Sequence, residues 1–200
     1  MIGYLRVPKT GSTALAHALI TQRGGDVCRG VNHWVASSFI GHNHGHEWAT
    51  MIRNPMQVSV SYFYFLQRRL AEGRSNPLMH DPQNKGNLML MAREATVEEW
   101  LDESPANQAF SYYYEDLDPS TFMFVGNCDD MERSNRLAKA VLGLSIPDEP
   151  ANVNDIKRVE EQYDPCYSEL DFMNRNAADY DAYYAARDRY YQLLQEYEVM

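Results

Sequence analysis

Apolar residues in this chain come in short runs that alternate with stretches of helical spacing. Ile2-Gly3-Tyr4-Leu5 is a run of strand length, the pattern of a strand covered on both faces. Beyond Arg6-Val7-Pro8-Lys9-Thr10-Gly11-Ser12-Thr13, the positions Ala16, Leu19 and Ile20 fit one helical face. Trp48-Ala49-Thr50-Met51-Ile52 repeats the strand pattern. Asn54-Pro55 then marks a helix start, with Asn as the cap and Pro as the first helical residue. Val58, Tyr62, Phe65, Leu66 and Arg69 follow at helical spacing.

Gly73 to Gly86 is rich in Gly, Pro, Asn, Asp and Ser and reads as a long loop, of a length that in compact domains often serves function. Thr96 with Glu99 three residues on is a capping box opening a short helix. Asn107 and Gln108 follow and are assigned a structural role. Phe122 to Gly126 reads as a strand, Met131 to Leu142 as a helix closed by Gly143, and Ala177 to Tyr197 as a helix with a tyrosine-rich face suited to core packing. Strand and helix alternate throughout. This predicts an α/β fold in three layers, with a mainly parallel central sheet between flanking helices, and one domain over residues 1–200. Ligands of such sheets bind outside the carboxyl ends of the strands.

At 200 residues the chain can bury a sizeable core. It has no apolar run of about 18 residues, so no membrane span is expected. It shows no leader pattern, and the first strand begins at residue 2, so a soluble, cytoplasmic protein is expected. Cys28, Cys128 and Cys166 are far apart and fit reduced thiols. The net charge of −10 argues against nucleic acid or a polyanionic polysaccharide as partner. It does not argue against a small anion, which feels its local surroundings within a screening length of about 8 Å. Lys9, Arg53, Arg68, Arg69 and Arg74 gather near the two motifs described next, whereas acidic residues concentrate after position 94.

Two segments carry candidate chemistry. Strand, glycine-containing turn and helix make an anion cup at residues 5–15, because the first amides of a helix are unpaired and its dipole favours negative charge. Lys9 adds a cation, and Thr10, Ser12 and Thr13 add hydroxyls. The Walker loop places its lysine after the last glycine; here Lys9 precedes Gly11. In the second segment, Arg53 stands at a strand end and Ser61 eight residues later. Ser61 lies about two turns into the helix, within reach of a phosphate that the Arg53 fork could hold.

Pro8-Lys9-Thr10-Gly11-Ser12-Thr13, together with Arg53-Asn54-Pro55 and Ser61 followed by aromatics, resembles the sulfotransferases that use 3′-phosphoadenosine 5′-phosphosulfate (PAPS). The likeness is greatest to the heparan sulfate 2-O-sulfotransferase-like branch. It is strong over residues 5–15 and 49–65 and loose elsewhere; Asn54 stands where the family commonly has Asp. The resemblance implies a P-loop-NTPase-like sulfotransferase fold and transfer of a sulfuryl group to an acceptor hydroxyl, with a carbohydrate as the family-weighted acceptor. It implies that Lys9, Thr10, Gly11, Ser12 and Thr13 cradle the 5′-phosphosulfate and that Arg53 and Ser61 hold the 3′-phosphate. The presumed family base is the histidine of a Gly-His pair before the second strand, here Gly41-His42, with Lys9 as its catalytic partner. His44 and His46 are alternatives for the base, which needs a pKa near neutrality.

Two other readings stay open. His42, His44 and His46 would share one side of an extended segment and could bind a metal in a non-catalytic protein, although the PAPS reading itself needs none. A kinase-like enzyme with an irregular phosphate loop would need Mg²⁺ and an acidic ligand at a strand end. No convincing Asp is evident there, because Arg53 takes the obvious position.

Overall fold

A computed structural model describes residues 2–23, 47–73, 88–146 and 167–199. Three strands, β1 (Ile2–Leu5), β2 (Glu47–Ile52) and β3 (Phe124–Asn127), form a parallel sheet in the order β1-β2-β3. β1 pairs with β2 from Ile2↔Glu47 to Leu5↔Thr50, and β2 with β3 from Ala49↔Phe124 to Ile52↔Asn127. Parallel neighbours need crossovers. Helix α1 (Ser12–Arg23) follows β1, and α2 (Pro55–Ala71) follows β2. Before β3 come α3 (Leu88–Glu94), α4 (Val97–Glu103), a 3-10 turn at Pro105–Gln108 and α5 (Ala109–Tyr113). After it come α6 (Met131–Leu142), α7 (Glu169–Arg175) and α8 (Ala177–Glu196). The described fold is therefore α/β, with a small parallel sheet and many helices. None of the described helices is long and apolar enough to cross a membrane.

The apolar runs are explained by burial. Every residue of β1 and β3 is buried, and so is β2 from Ala49 onward. The one polar residue deep in β2 is Thr50, fully buried; its hydroxyl lies 3.2 Å from the Leu5 carbonyl and 3.1 Å from the Tyr114 hydroxyl. Thr96 and Glu99 form the capping box of α4 in both directions, at 3.2 and 2.8 Å. α6 ends at Gly143, whose φ of 65° is the left-handed cap that favours glycine. Tyr180, Tyr183 and Tyr190 of α8 enter the core, while Tyr191 and Tyr197 stay exposed.

Some boundaries differ from the sequence expectation. The third strand starts at Phe124, not Phe122, because Phe122 closes a 3-10 turn at Pro119–Thr121. Met123 reaches the sheet through a 2.9 Å bond from its amide to the Trp48 carbonyl, outside the ladder. Ile20 is 54% exposed; the buried face of α1 runs instead through Ala14, Leu15, Ala18 and Leu19.

Helix α2 is anchored by a polar knot. The buried Ser59 hydroxyl donates to Asn107 Oδ1 and accepts from Trp100 Nε1 at 2.9 Å. Asn107 Nδ2 donates to the Trp100 and Leu101 carbonyls at 3.2 and 2.8 Å. The knot ties α2 to the end of α4, and Asn107 is structural, as its sequence context suggested.

A second buried polar group makes stability depend on pH. Asp179 of α8 is 1% exposed; its Oδ1 accepts from the Ser111 amide at 2.8 Å and from the Ser111 hydroxyl at 3.2 Å. Its Oδ2 is buried without a partner among the described residues. Burial lifts the carboxyl from its ordinary 3.8 to about 7, against the lowering effect of those amide and hydroxyl bonds. An acid raised on folding contributes stability that is present below its unfolded value and lost as pH rises through its folded value. The melting temperature of Asp179→Asn relative to wild type should therefore rise by about 5 °C between pH 5 and pH 8. Thermal melts of both proteins at the two pH values check this; an equal gap at both would rule out titration of Asp179 as the cause.

Candidate anion site at the carboxyl edge of the sheet

All three strands run the same way, so the segments after Leu5, Ile52 and Asn127 emerge on one edge of the sheet. The first is the loop from Arg6 to Gly11, which turns directly into α1. Lys9 and Gly11 both have positive φ, 64° and 74°, with Thr10 between them on the negative side. Such alternation turns successive amides toward one concavity, the geometry of a backbone anion nest. For Lys9 the left-handed conformation costs about 1–2 kcal/mol. Gly11 bears no such cost, and a Cβ there would stand 3.4 Å from Cys128 Sγ.

The hydroxyls of the loop divide into two groups. Thr10 and Ser12, both buried, donate to the Val7 carbonyl at 2.9 and 2.8 Å, and Tyr4 donates its hydroxyl to the Ser12 carbonyl. Two hydroxyls that the sequence suggested as ligand donors thus brace the loop from within. Thr13 differs: its Oγ1 accepts from Arg6 at 3.0 Å and keeps its own proton to give. The amides of Gly11, Ser12 and Thr13 meet no acceptor among the described residues.

The second segment is Arg53-Asn54, between β2 and α2. Asn54 caps α2 by accepting from the Gln57 amide at 3.2 Å, and its Nδ2 donates to Glu169 Oε1 at 2.6 Å. An Asp here could cap, but it could not donate, and it would repel Glu169. Asn at position 54 therefore fits its contacts with both Gln57 and Glu169. Arg53 is 17% exposed; its Nε faces Gln57 Oε1 at 3.2 Å and Asp129 Oδ1 at 3.7 Å. Its two terminal nitrogens have no partner among the described residues, so the fork is open. Ser61 is buried in the second turn of α2, and its hydroxyl makes no hydrogen bond among the described residues.

The charges converge on Lys9. Its ammonium makes no ion pair among the described residues and lies 4.6 Å from the centroid of the Phe65 ring. Burial brings its pKa down from 10.5 to about 8, Arg68 and Arg53 push in the same direction, and Cys128 opposes them weakly. Lys9 and Arg53, 44 residues apart in sequence, thus act on one another at one edge of the sheet. In a chain of net charge −10, this is a local concentration of cations held without a tight counter-ion.

The third segment was not foreseen as part of the site. Cys128 and Asp129 follow β3 directly, with the thiol against Gly11 and the carboxylate beside Arg53. Burial raises the Cys128 pKa, which keeps it a neutral thiol. The signal was available, since the residue after any strand of a parallel sheet lands on this edge. Asp129 and Asp130 do place acid at a strand end, contrary to the sequence expectation. They are engaged, however: Asp129 with Arg53, and Asp130 with Arg133 at 2.7 Å and the Tyr190 hydroxyl at 3.0 Å. No cluster of three or more His, Cys, Asp or Glu side chains suited to a metal occurs among the described residues. His42, His44, His46, Arg74, Lys157 and Arg158 lie outside them. The structure therefore brings Lys9, Gly11, Thr13 and Arg53 to one edge, and it does not place the candidate base.

No family model matches this chain, and neither a curated protein nor a solved structure is significantly similar to it.

Proposed function

We propose that this chain is a PAPS-dependent sulfotransferase with a P-loop-like sulfotransferase fold, acting on an acceptor hydroxyl of a carbohydrate. The observation that carries the reading is the Lys9 ammonium beside the Arg53 fork at the carboxyl edge of a parallel sheet, with no ion pair to Lys9 and no partner to the Arg53 terminal nitrogens among the described residues. A ligand with two separate anionic groups suits that pair. The order Lys9-Thr10-Gly11 departs from the Walker order and argues for a phosphosulfate over a nucleoside triphosphate.

In this reading the acceptor oxygen attacks sulfur, the sulfur–oxygen bond to the 5′-phosphate breaks, and the acceptor proton passes to a base. Lys9, the Gly11–Thr13 amides and the Thr13 hydroxyl stabilise charge gathering on the leaving phosphate, the preorganised electrostatic work that dominates such transfers. Thr10 and Ser12 hold the loop in shape. Arg53 grips the 3′-phosphate bidentately, with the Ser61 hydroxyl as a further donor. The base comes from His42, with His44 and His46 as alternatives.

Calorimetry with the desulfated product, 3′-phosphoadenosine 5′-phosphate, tests the reading directly. Micromolar binding is expected, with AMP much weaker because it lacks the 3′-phosphate. Absence of binding would overturn the proposal. A preference for ATP with Mg²⁺ would overturn it in favour of a kinase-like enzyme and would give Asp129 and Asp130 a new meaning.

A further inference from the structure

The ring of Phe65 has three cations around it. Lys9 Nζ lies 4.6 Å from its centroid, and the guanidinium carbons of Arg68 and Arg69 lie at 5.8 and 6.0 Å. The face of an aromatic ring attracts cations, yet these three repel one another. Arg68 is half exposed, and its ion-pair partner among the described residues, Glu72, is 3.9 Å away. The Nε of Arg69 is buried with no partner among the described residues. Lys9 could have escaped to solvent on its long stem. Instead, its side chain reaches across to Phe65 of α2 from a left-handed backbone. The Phe65 ring is also stacked on Tyr62, at 6.2 Å and 11°. Tyr62 is in turn edge-on to Trp100 at 6.3 Å, next to the knot that anchors α2.

We propose that Phe65 is a positioning residue for Lys9: its ring seats the ammonium beside the loop and keeps it charged, with N–H bonds left over for the ligand's anion. Its link to turnover rests on the sulfotransferase reading above; its effect on Lys9 does not. Two opposing influences act on the amine. Burial and the like charges of Arg68 and Arg53 favour losing the proton, whereas the Phe65 ring face favours keeping it. Without the ring, the lysine should be partly neutral at physiological pH and poorly aimed. Arg68 and Arg69 then have a second effect. By crowding the same ring, they make a seated Lys9 readier to pair with an incoming anion.

The test measures the Lys9 amine itself in the full chain. The sequence holds only four lysines, Lys9, Lys85, Lys139 and Lys157, so pH-dependent acylation read by peptide mass spectrometry resolves each of them. In Phe65→Leu the apparent pKa of Lys9 should fall by about half a unit to one unit, with the other lysines unmoved. Phe65→Tyr, which keeps a ring face, should restore it. If Phe65→Leu does not fold, Phe65→Met supplies the ringless state at nearly constant volume. An unchanged Lys9 titration in a folded ringless variant overturns the proposal, and so does failure of Phe65→Tyr to restore it. Binding of 3′-phosphoadenosine 5′-phosphate is measured in parallel on wild type. If the product does not bind but the Lys9 shift appears, the functional reading fails and the seat for Lys9 stands.

Discussion

Lys9→Ala should cost roughly two to three orders of magnitude in turnover, the usual loss when one preorganised donor to developing charge is removed, without lowering the melting temperature. The combination is informative because most disabling substitutions act through the fold. Lys9 sits in surroundings that disfavour its charge: burial and the neighbouring Arg68 and Arg53 bring its pKa down to about 8. A side chain held in that way contributes little stability as a cation, and alanine relieves the repulsion. The titration also fixes the direction of a pH effect. Below about pH 8 Lys9 is protonated and binds an anion; above it the proton is lost and affinity for 3′-phosphoadenosine 5′-phosphate should fall. Lys9→Ala should flatten that decline while binding more weakly throughout. Calorimetry across pH 6.5 to 9.5 and a sulfuryl-transfer assay check both parts. Full turnover in the variant would remove Lys9 from the chemistry.

Arg53→Ala should weaken binding of 3′-phosphoadenosine 5′-phosphate about a hundredfold and leave the much weaker affinity for AMP nearly unchanged. Two charge-assisted hydrogen bonds to a phosphate are at stake, and a hundredfold corresponds to about 2.7 kcal/mol. Arg53→Lys should rescue little, because an ammonium lacks the planar fork. The contrast between the two ligands is the decisive readout. An equal loss for both would mean that Arg53 shapes the edge of the sheet in general, for example by holding Asp129 at 3.7 Å, and does not read a second phosphate.

Much of the framework was legible in the sequence because burial and local chemistry agree there. The apolar runs Ile2–Leu5 and Trp48–Ile52 lie in strands that are buried over all of β1 and from Ala49 onward in β2, and the Asn54-Pro55 and Thr96–Glu99 caps set helix starts by hydrogen bonds within three residues. Three of the short helices were not legible. α3, α5 and α7 have seven residues or fewer, too few to establish a period, and they depend on tertiary contacts such as Asn54 with Glu169 and Ser111 with Asp179. Within the site, residue types pointed to Lys9 and Arg53, but they could not reveal how hydroxyls are spent. Thr10 and Ser12 have the same chemistry as Thr13, and only the folded loop assigns two of them inward. Cys128 and Asp129 went unnoticed for a different reason. Their place in the site follows from standing directly after a strand of a parallel sheet, a signal of topology and not of residue type.

The knot at Ser59 bears on any survey of damaging variants. Ser59 and Ser61 stand two residues apart on one helix, both buried, and a scan that recorded only lost product would score them alike. One joins α2 to Trp100 and Asn107, so its loss would loosen the helix that carries Phe65 and Arg68; the other has no such tie among the described residues. A serine that fails by unfolding can be recovered by growth at lower temperature, whereas one that fails by losing a ligand contact cannot. Temperature-sensitive alleles should therefore gather around the knot, and outright nulls around the edge of the sheet.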